Sequence, residues 1–429
     1  MFISYFTERP YQDEQGEYIN TLDLAKSNAD YNPVLGGDLY HRYLDEKVYA
    51  EEMGFDGLVL NEHHSMPACM GGVINVEASI LARITKRARI VLAGNVLPIW
   101  DDPLWLAETL AMIDVISRGR LVCGWVRGTG RESVTHNTPS PYNWERYQEA
   151  HDLIMKAWTE PGPFRWEGEH FDYRYVNPWP RPLQQPPPIW IPGSLSKATV
   201  KWAAERQFPY LMLATEHEPT KRSFEYYDAC AREAGHETGS QHRGYLFKVH
   251  VDETEELAEQ TARKFLQGPS NPFLEGNQGQ VRGFMQNLPG MNSRTEVLPT
   301  IETWAPAVAR GAQRQHKKIL EKKKMAKGKD RDYSGSYEEQ IAKYTIIAGT
   351  PDQVVEKIRN VLEYLRPGII AIWDGDGAMS HEDTMRALRL LGEEVIPRVR
   401  EIGKELDLHS PFEVSPVTNK PVAEAVGVG

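Results

Sequence analysis

The chain has 429 residues, with 49 Lys and Arg against 60 Asp and Glu, a formal net charge of −11. That acidity argues against a nucleic-acid partner, whose binding surfaces are usually basic. The hydrophobic fraction of 41% and charged fraction of 25% are ordinary for a globular chain, and no apolar run approaches the ~20 residues of a membrane-spanning helix. The start MFISYFTERPYQ brings in charge early and has no apolar core, so no signal peptide is expected. Cys69, Cys123 and Cys230 are too far apart for a metal motif or a disulfide framework, which suits a cytoplasmic location.

Strand and helix signals then alternate along the chain. Phe2–Phe6 is a short apolar strand, and Leu39–Met53 reads as a helix stopped by Gly54. Gly57–Leu60 is the second strand, Val73–Thr85 a helix, and Arg89–Leu97 the third strand. Pro103 opens a helix running to about Ser117, in a position where proline is tolerated. Arg120–Val126 is the fourth strand and Trp144–Trp158 an amphipathic helix. Phe164–Tyr175 reads as a small hairpin, and the proline-rich Asn177–Pro188 as an extended connector into a fifth strand, Ile189–Ile191. Ser196 opens a helix to Arg206, Pro209–Ala214 is the sixth strand, and Glu218–Ala234 its helix. Gly244–Val251 is the seventh strand, and the helix Glu253–Leu266 starts with acidic residues that suit its dipole.

The rhythm breaks from Gly268 to about residue 340, in a stretch carrying the basic run His316–Arg331. It returns at Gly349-Thr350-Pro351-Asp352, followed by helix Gln353–Leu365, the eighth strand Gly368–Trp373 and helix Glu382–Val399. Eight βα repeats predict a (β/α)8 TIM barrel over residues 1–408, with a long insertion after strand seven and a flexible tail over 409–429. An open doubly wound sheet is the runner-up, but no Gly-rich phosphate loop follows the first strand.

In such a barrel the chemistry lies at the C-terminal ends of the strands. His63 and His64 follow strand two, and adjacent residues of extended chain point opposite ways, so one of them faces the axis. A histidine there can serve as general acid or base, or be a hydrogen-bonded rim residue. Glu62-His63-His64 lacks the spacing that places two histidines on one helical face, so no metal is expected. Arg127 ends strand four inside WVRGTGRE and can grip a phosphate with two parallel bonds. The plainer reading is an internal ion pair, with Arg131 and Glu132 partnering each other. Ser194, Ser196 and Thr199 stand at a helix start, where hydroxyls and backbone N–H groups can hold an anion or simply cap the helix. Asn95, at the end of strand three, can hydrogen-bond a ring edge or cap the strand. Asp374 and Asp376 terminate strand eight, where a Gly-Asp turn is the favoured reading.

These motifs, in this order, resemble the bacterial luciferase-like flavin-dependent monooxygenases. The matching pieces are GFDGLVLNEHH, the run from TKRARIVLAGNVLP through MIDVISRGRLVCGWVRG, then PRPLQQPPPIWIPGSLSKATVKWAAE and AGTPDQVVEKI. The Ser117–Arg120 element with its spacing to Arg127-Gly128 is the more specific part. The resemblance implies the same barrel, reduced FMN and O2 as co-reactants, a C4a-peroxyflavin, and a separate NAD(P)H:flavin reductase as partner. It implies that His63 assists the oxygen chemistry, that Arg127, Ser196 and Thr199 hold the FMN phosphate, and that Gly94–Asn95 is a non-prolyl cis bond beneath the flavin. It also implies a small organic substrate, a homodimer, and an enlarged lid in the 268–340 insertion. Val126 stands where the light-emitting members carry a reactive cysteine, so luminescence is not expected. An F420-dependent oxidoreductase and a non-catalytic flavin-binding subunit are the alternatives on the same barrel.

Overall fold

The computed structural model describes residues 1–17, 27–128, 130–194, 196–266 and 337–422. Eight parallel strands pair edge to edge into a closed ring: β1 (Phe2–Phe6), β2 (Gly57–Leu60), β3 (Arg89–Leu92), β5 (Leu121–Val126), β8 (Ile189–Gly193), β9 (Tyr210–Leu213), β10 (Arg243–Val251) and β12 (Ile369–Trp373). The register Phe2↔Ile369 through Phe6↔Trp373 closes the circle. These strands are apolar almost throughout because both faces are covered, one by helices and one by the barrel interior. The remaining strands are β4 (Asn95–Val96), the antiparallel pair β6 (Phe164–Glu167) and β7 (Asp172–Val176), and β11 (Ile346–Gly349), which extends the sheet along the upper half of β10.

The helices between them are α1 (Pro33–Glu52), α2 (Ile74–Ile84), α3 (Pro103–Ile116), α4 (Gly130–Thr135), α5 (Asn143–Thr159), α6 (Lys197–Glu205), α7 (His217–Glu233), α8 (Glu255–Leu266), α9 (Tyr337–Ala342), α10 (Pro351–Leu365), α11 (His381–Leu390) and α12 (Ile396–Glu405). Their ends follow local chemistry. Asp102 accepts from Trp105 N at 3.0 Å ahead of Pro103, and Thr350 and Gln353 form a reciprocal capping box at α10. No helix of the described residues is long and apolar enough to cross a membrane.

Alternation along the strands divides the core. Ile3, Tyr5, Leu58 and Leu60 face the helices, while Phe2, Phe6, Val59, Val91, Val122 and Trp190 fill the barrel. Each such side chain contributes about 1.5–3 kcal/mol on full burial. The Ser117–Arg120 element sits at the barrel's lower rim. The Arg120 guanidinium donates to the carbonyls of Ala82 (3.0 Å), Thr85 (3.0 Å) and Ala88 (2.6 Å), tying the α2–β3 turn to the start of β5.

The structure departs from the sequence expectations at five places. The third strand is not continuous to Leu97; it stops at Leu92, and β4 resumes after a cis peptide at Ala93–Gly94, one bond before the expected Gly94–Asn95. Helix α1 begins at Pro33 rather than Leu39, capped by Asn32. Strand β11 was hidden because four residues carry little periodicity. The last helix is two, α11 and α12, joined by a π turn at Leu391–Val395. A Cβ at Gly392 would stand 2.5 Å from Met53 O, so the close approach of this turn to α1 requires glycine. Finally, the tail expected to be flexible after Leu408 is packed through Val422. The Phe412 ring covers the lower mouth of the barrel, 5.3 Å from Phe2 and 6.0 Å from Trp190, with the Arg89 guanidinium 3.7 Å over its face. Beside it Glu413 pairs with the Met1 ammonium at 2.5 Å. An isolated aromatic plug leaves no pattern to read. The expected lid and its basic run, His316–Arg331, lie outside the described residues, as do 423–429.

Candidate active site

A cavity of about 300 Å³ opens at the C-terminal ends of the strands. His63, Arg127, Ser194, Ser196 and Thr199 all line it. Asn95 does not. Its side chain is fully buried behind the wall and donates to Asn75 Oδ1 at 3.1 Å, so it supports α2 instead of facing a ligand. His64 also turns away, as the alternation of extended chain required.

One end of the cavity is cationic and rich in donors. Arg127 leaves the end of β5 exposed, its guanidinium 5.9 Å from the Trp144 ring centroid, with no ion pair among the described residues. Among the described residues no carboxylate takes it up. Ser196 is the N-cap of α6, yet its side chain makes no capping bond; its Oγ accepts from Thr199 Oγ1 at 3.1 Å. Ser196 and Thr199 thus line the cavity at the start of a helix. Tyr210 supports this corner by donating to Ser194 O at 2.7 Å.

The other end holds His63 between two carboxylates. Glu132 Oε1 lies 3.3 Å from Nδ1, and Glu8 Oε2 4.0 Å from Nε2. The backbone of His63 is anchored to Gly71 O at 3.2 Å. Arg9, fully buried, braces Asn61, two residues before His63, through its O (2.7 Å) and Oδ1 (3.0 Å), and pairs with Glu77 at 3.0 Å. Glu132, expected to pair with Arg131, reaches His63; the Arg131 side chain lies outside the described residues. Gly128, at φ +73°, makes that possible: a Cβ there would stand 2.5 Å from Val96 Cγ1. The Ala93–Gly94 floor is equally tight, since a Cβ on Gly94 would stand 2.3 Å from Gly124 O.

Phe6, Val126 and Trp373 supply the apolar walls. Asp376 accepts from Glu8 N at 2.8 Å and from Trp373 Nε1, and burial together with nearby Glu8 pushes it up to about 7. Asp374 turns to the buried His250 at 3.1 Å. The strand-eight carboxylates thus orient other side chains, in a turn with Gly375 and Gly377 at positive φ. Sequence reading missed Glu8, Asn61 and Trp373 as lining residues. Glu8 and Asn61 follow their strands directly, so the strand-end rule would have found them.

The luciferase-like monooxygenase family model matches residues 24–366. The alkanal monooxygenase alpha chain of Photobacterium leiognathi is 28% identical over 257 residues, covering 58% of this chain and 71% of that one. The oxygenase component of a flavin-dependent trigonelline monooxygenase from Acinetobacter baylyi is 31% identical over 157 residues, 36% of this chain and 43% of that one. Among solved structures, the oxygenating constituent of 3,6-diketocamphane monooxygenase from Pseudomonas putida, in complex with FMN, superposes with a TM-score of 0.64 at 18% identity, over 92% of this chain and 98% of that one. An F420-dependent secondary alcohol dehydrogenase shares the fold at a TM-score of 0.56 and 16% identity, over 93% and 99%.

Proposed function

The chain belongs to the luciferase-like monooxygenase family, and we propose that it is an oxygenase component that uses reduced FMN and O2 to oxygenate a small organic substrate. The observation that carries this reading is Arg127, held at the cavity without an ion-pair partner among the described residues, across from a carboxylate-bracketed His63. Arg127, the Ser196 and Thr199 hydroxyls and the first turn of α6 would hold the phosphate. Bound reduced flavin supplies the electrons that activate O2. Phe6, Val126 and Trp373 keep water from the reacting end. His63 holds a proton at Nε2, with Glu132 fixing the ring through Nδ1.

The flavin would arrive reduced from a separate NAD(P)H:flavin reductase, in line with the Acinetobacter relative being one component of its system. A second copy of this chain is the natural cover for α2 and α3. These neighbouring helices expose Val76 (59%), Ile80 and Ile84 at one-turn spacing beside Trp105 (66%), Met112 and Ile116. The free, buried cysteines agree with a cytoplasmic setting.

The rival is F420 on the same barrel, transferring hydride without O2. Thermal melting of the apoprotein with FMN, riboflavin or F420 separates the readings. Protection by FMN above riboflavin supports the oxygenase. Protection by F420 alone overturns it, and protection by none removes the flavin altogether.

A further inference from the structure

The proposed flavin site leaves two residues of the Glu62-His63-His64 motif without work. Glu62 is 5% exposed, and it lines the cavity. His64 Nε2 lies 3.4 Å from Glu62 Oε1 but out of line for a hydrogen bond, so this buried nitrogen has no hydrogen-bond partner in the structure. On its other side the His64 ring meets His136 edge to face, with centroids 4.1 Å apart. His136 is exposed, and its Nδ1 is held 3.2 Å from Glu132 O and 3.1 Å from Thr135 Oγ1. A carboxylate in the cavity, a half-buried imidazole and a solvent-facing imidazole thus stand in contact, in that order.

We propose that Glu62, His64 and His136 form a proton relay between bulk solvent and the cavity. The relay rests on the flavin oxygenase reading. Reduced flavin is largely monoanionic at neutral pH, and a turnover that ends in oxidised flavin, oxygenated substrate and one water consumes one proton from bulk. A cavity that excludes water to protect that chemistry also blocks direct proton entry. His136 takes the proton from solvent and hands it to His64; a small turn of the His64 ring brings Nε2 into line with Glu62 Oε1, 3.4 Å away, and Glu62 then receives the proton and offers it to the cavity. A flip of the His64 ring then restores its starting tautomer, so one proton crosses per turnover. Imidazoles suit this traffic because their ordinary pKa, ~6.5, is close to the working pH. The pair is coupled by charge: burial, and then His64, hold His136 below its ordinary value, while Glu62 and Glu132 oppose that shift.

The test uses the full chain and the variants His64→Gln and His136→Gln. Proton uptake after mixing the reduced-FMN enzyme with O2 alone, which ends in oxidised flavin and hydrogen peroxide and also takes up one proton, is followed with a pH indicator. The relay predicts that either variant slows uptake roughly tenfold, that added imidazole restores it, and that FMN affinity stays at the parent value. Uptake as fast as in the parent, or slowing that imidazole does not rescue, overturns it. The apoprotein gives an independent reading by NMR titration of the histidine rings. His64→Gln should raise the His136 pKa; an unmoved His136 overturns the coupling. If the parent binds no FMN, the oxygenase reading fails, while the apoprotein titration still decides whether the two rings are linked.

Discussion

Glu132 Oε1 sits 3.3 Å from His63 Nδ1 although 69 residues of chain separate the two. The segment that delivers Glu132 begins at Arg127, so one short loop carries both the phosphate anchor and the partner that orients the histidine. The two ends of the cavity are therefore linked through the six residues that follow β5, Arg127 to Glu132.

Replacing Arg127 with Ala should weaken FMN binding by about 10–100-fold, the worth of charge-assisted bonds to a phosphate. Riboflavin, which has no phosphate, should bind as before. Equilibrium dialysis with both flavins checks this, and equal weakening of the two would remove the phosphate contact from Arg127.

His63→Ala should keep FMN affinity while raising the fraction of consumed O2 that appears as hydrogen peroxide. The proposed proton at Nε2 is lost, but the phosphate site is untouched. Glu132→Gln should shift the pH profile of coupling, because a neutral amide no longer favours the imidazolium. Peroxide yield and oxygenated product, measured together from pH 6 to pH 9, decide between a working histidine and an idle one.

Stability should depend on pH through His250. Burial opposes its charge, but Asp374 at 3.1 Å and Asp252 at 3.6 Å outweigh it and raise the imidazole to about 9. A histidine raised above its ordinary ~6.5 contributes fully below that value and loses the contribution as pH climbs through the folded pKa. Tm should therefore fall between pH ~6.5 and about 9. His250→Gln should flatten that segment and cost on the order of 3 kcal/mol at pH 6. Parallel Tm curves for parent and variant would contradict the assignment.

The helical face of α2 and α3 yields a simple assay. Ile80→Glu places a charge on the apolar stripe and should turn a dimer into a monomer in light scattering, with the barrel still folded by circular dichroism. A parent that is already monomeric rules out the second copy.

The barrel was legible in the sequence because each of its strands is a largely apolar run and helical segments alternate with them. Arg127, Ser194, Ser196 and Thr199 were legible because strand ends and helix starts converge on one face in this fold. Asn95 was misplaced for a physical reason. An unbroken strand from Arg89 to Leu97 would continue one alternation, but the strand stops at Leu92 and restarts at β4, so the inward and outward faces are dealt afresh. The pairing of Glu132 with His63 could not be read locally, because the nearer residue, Arg131, is the obvious partner in one dimension. Phe412 gave no signal either; its partners Phe2, Trp190 and Arg89 come from three distant segments.

That plug has a kinetic consequence. With the barrel stopped from below by Phe412 and filled above it by Phe2 and Trp190, the described residues close the cavity from below. If flavin and substrate both bind as proposed, they enter from above, the deeper occupant first. Excess substrate should then obstruct flavin delivery, and turnover should pass through a maximum as substrate concentration rises.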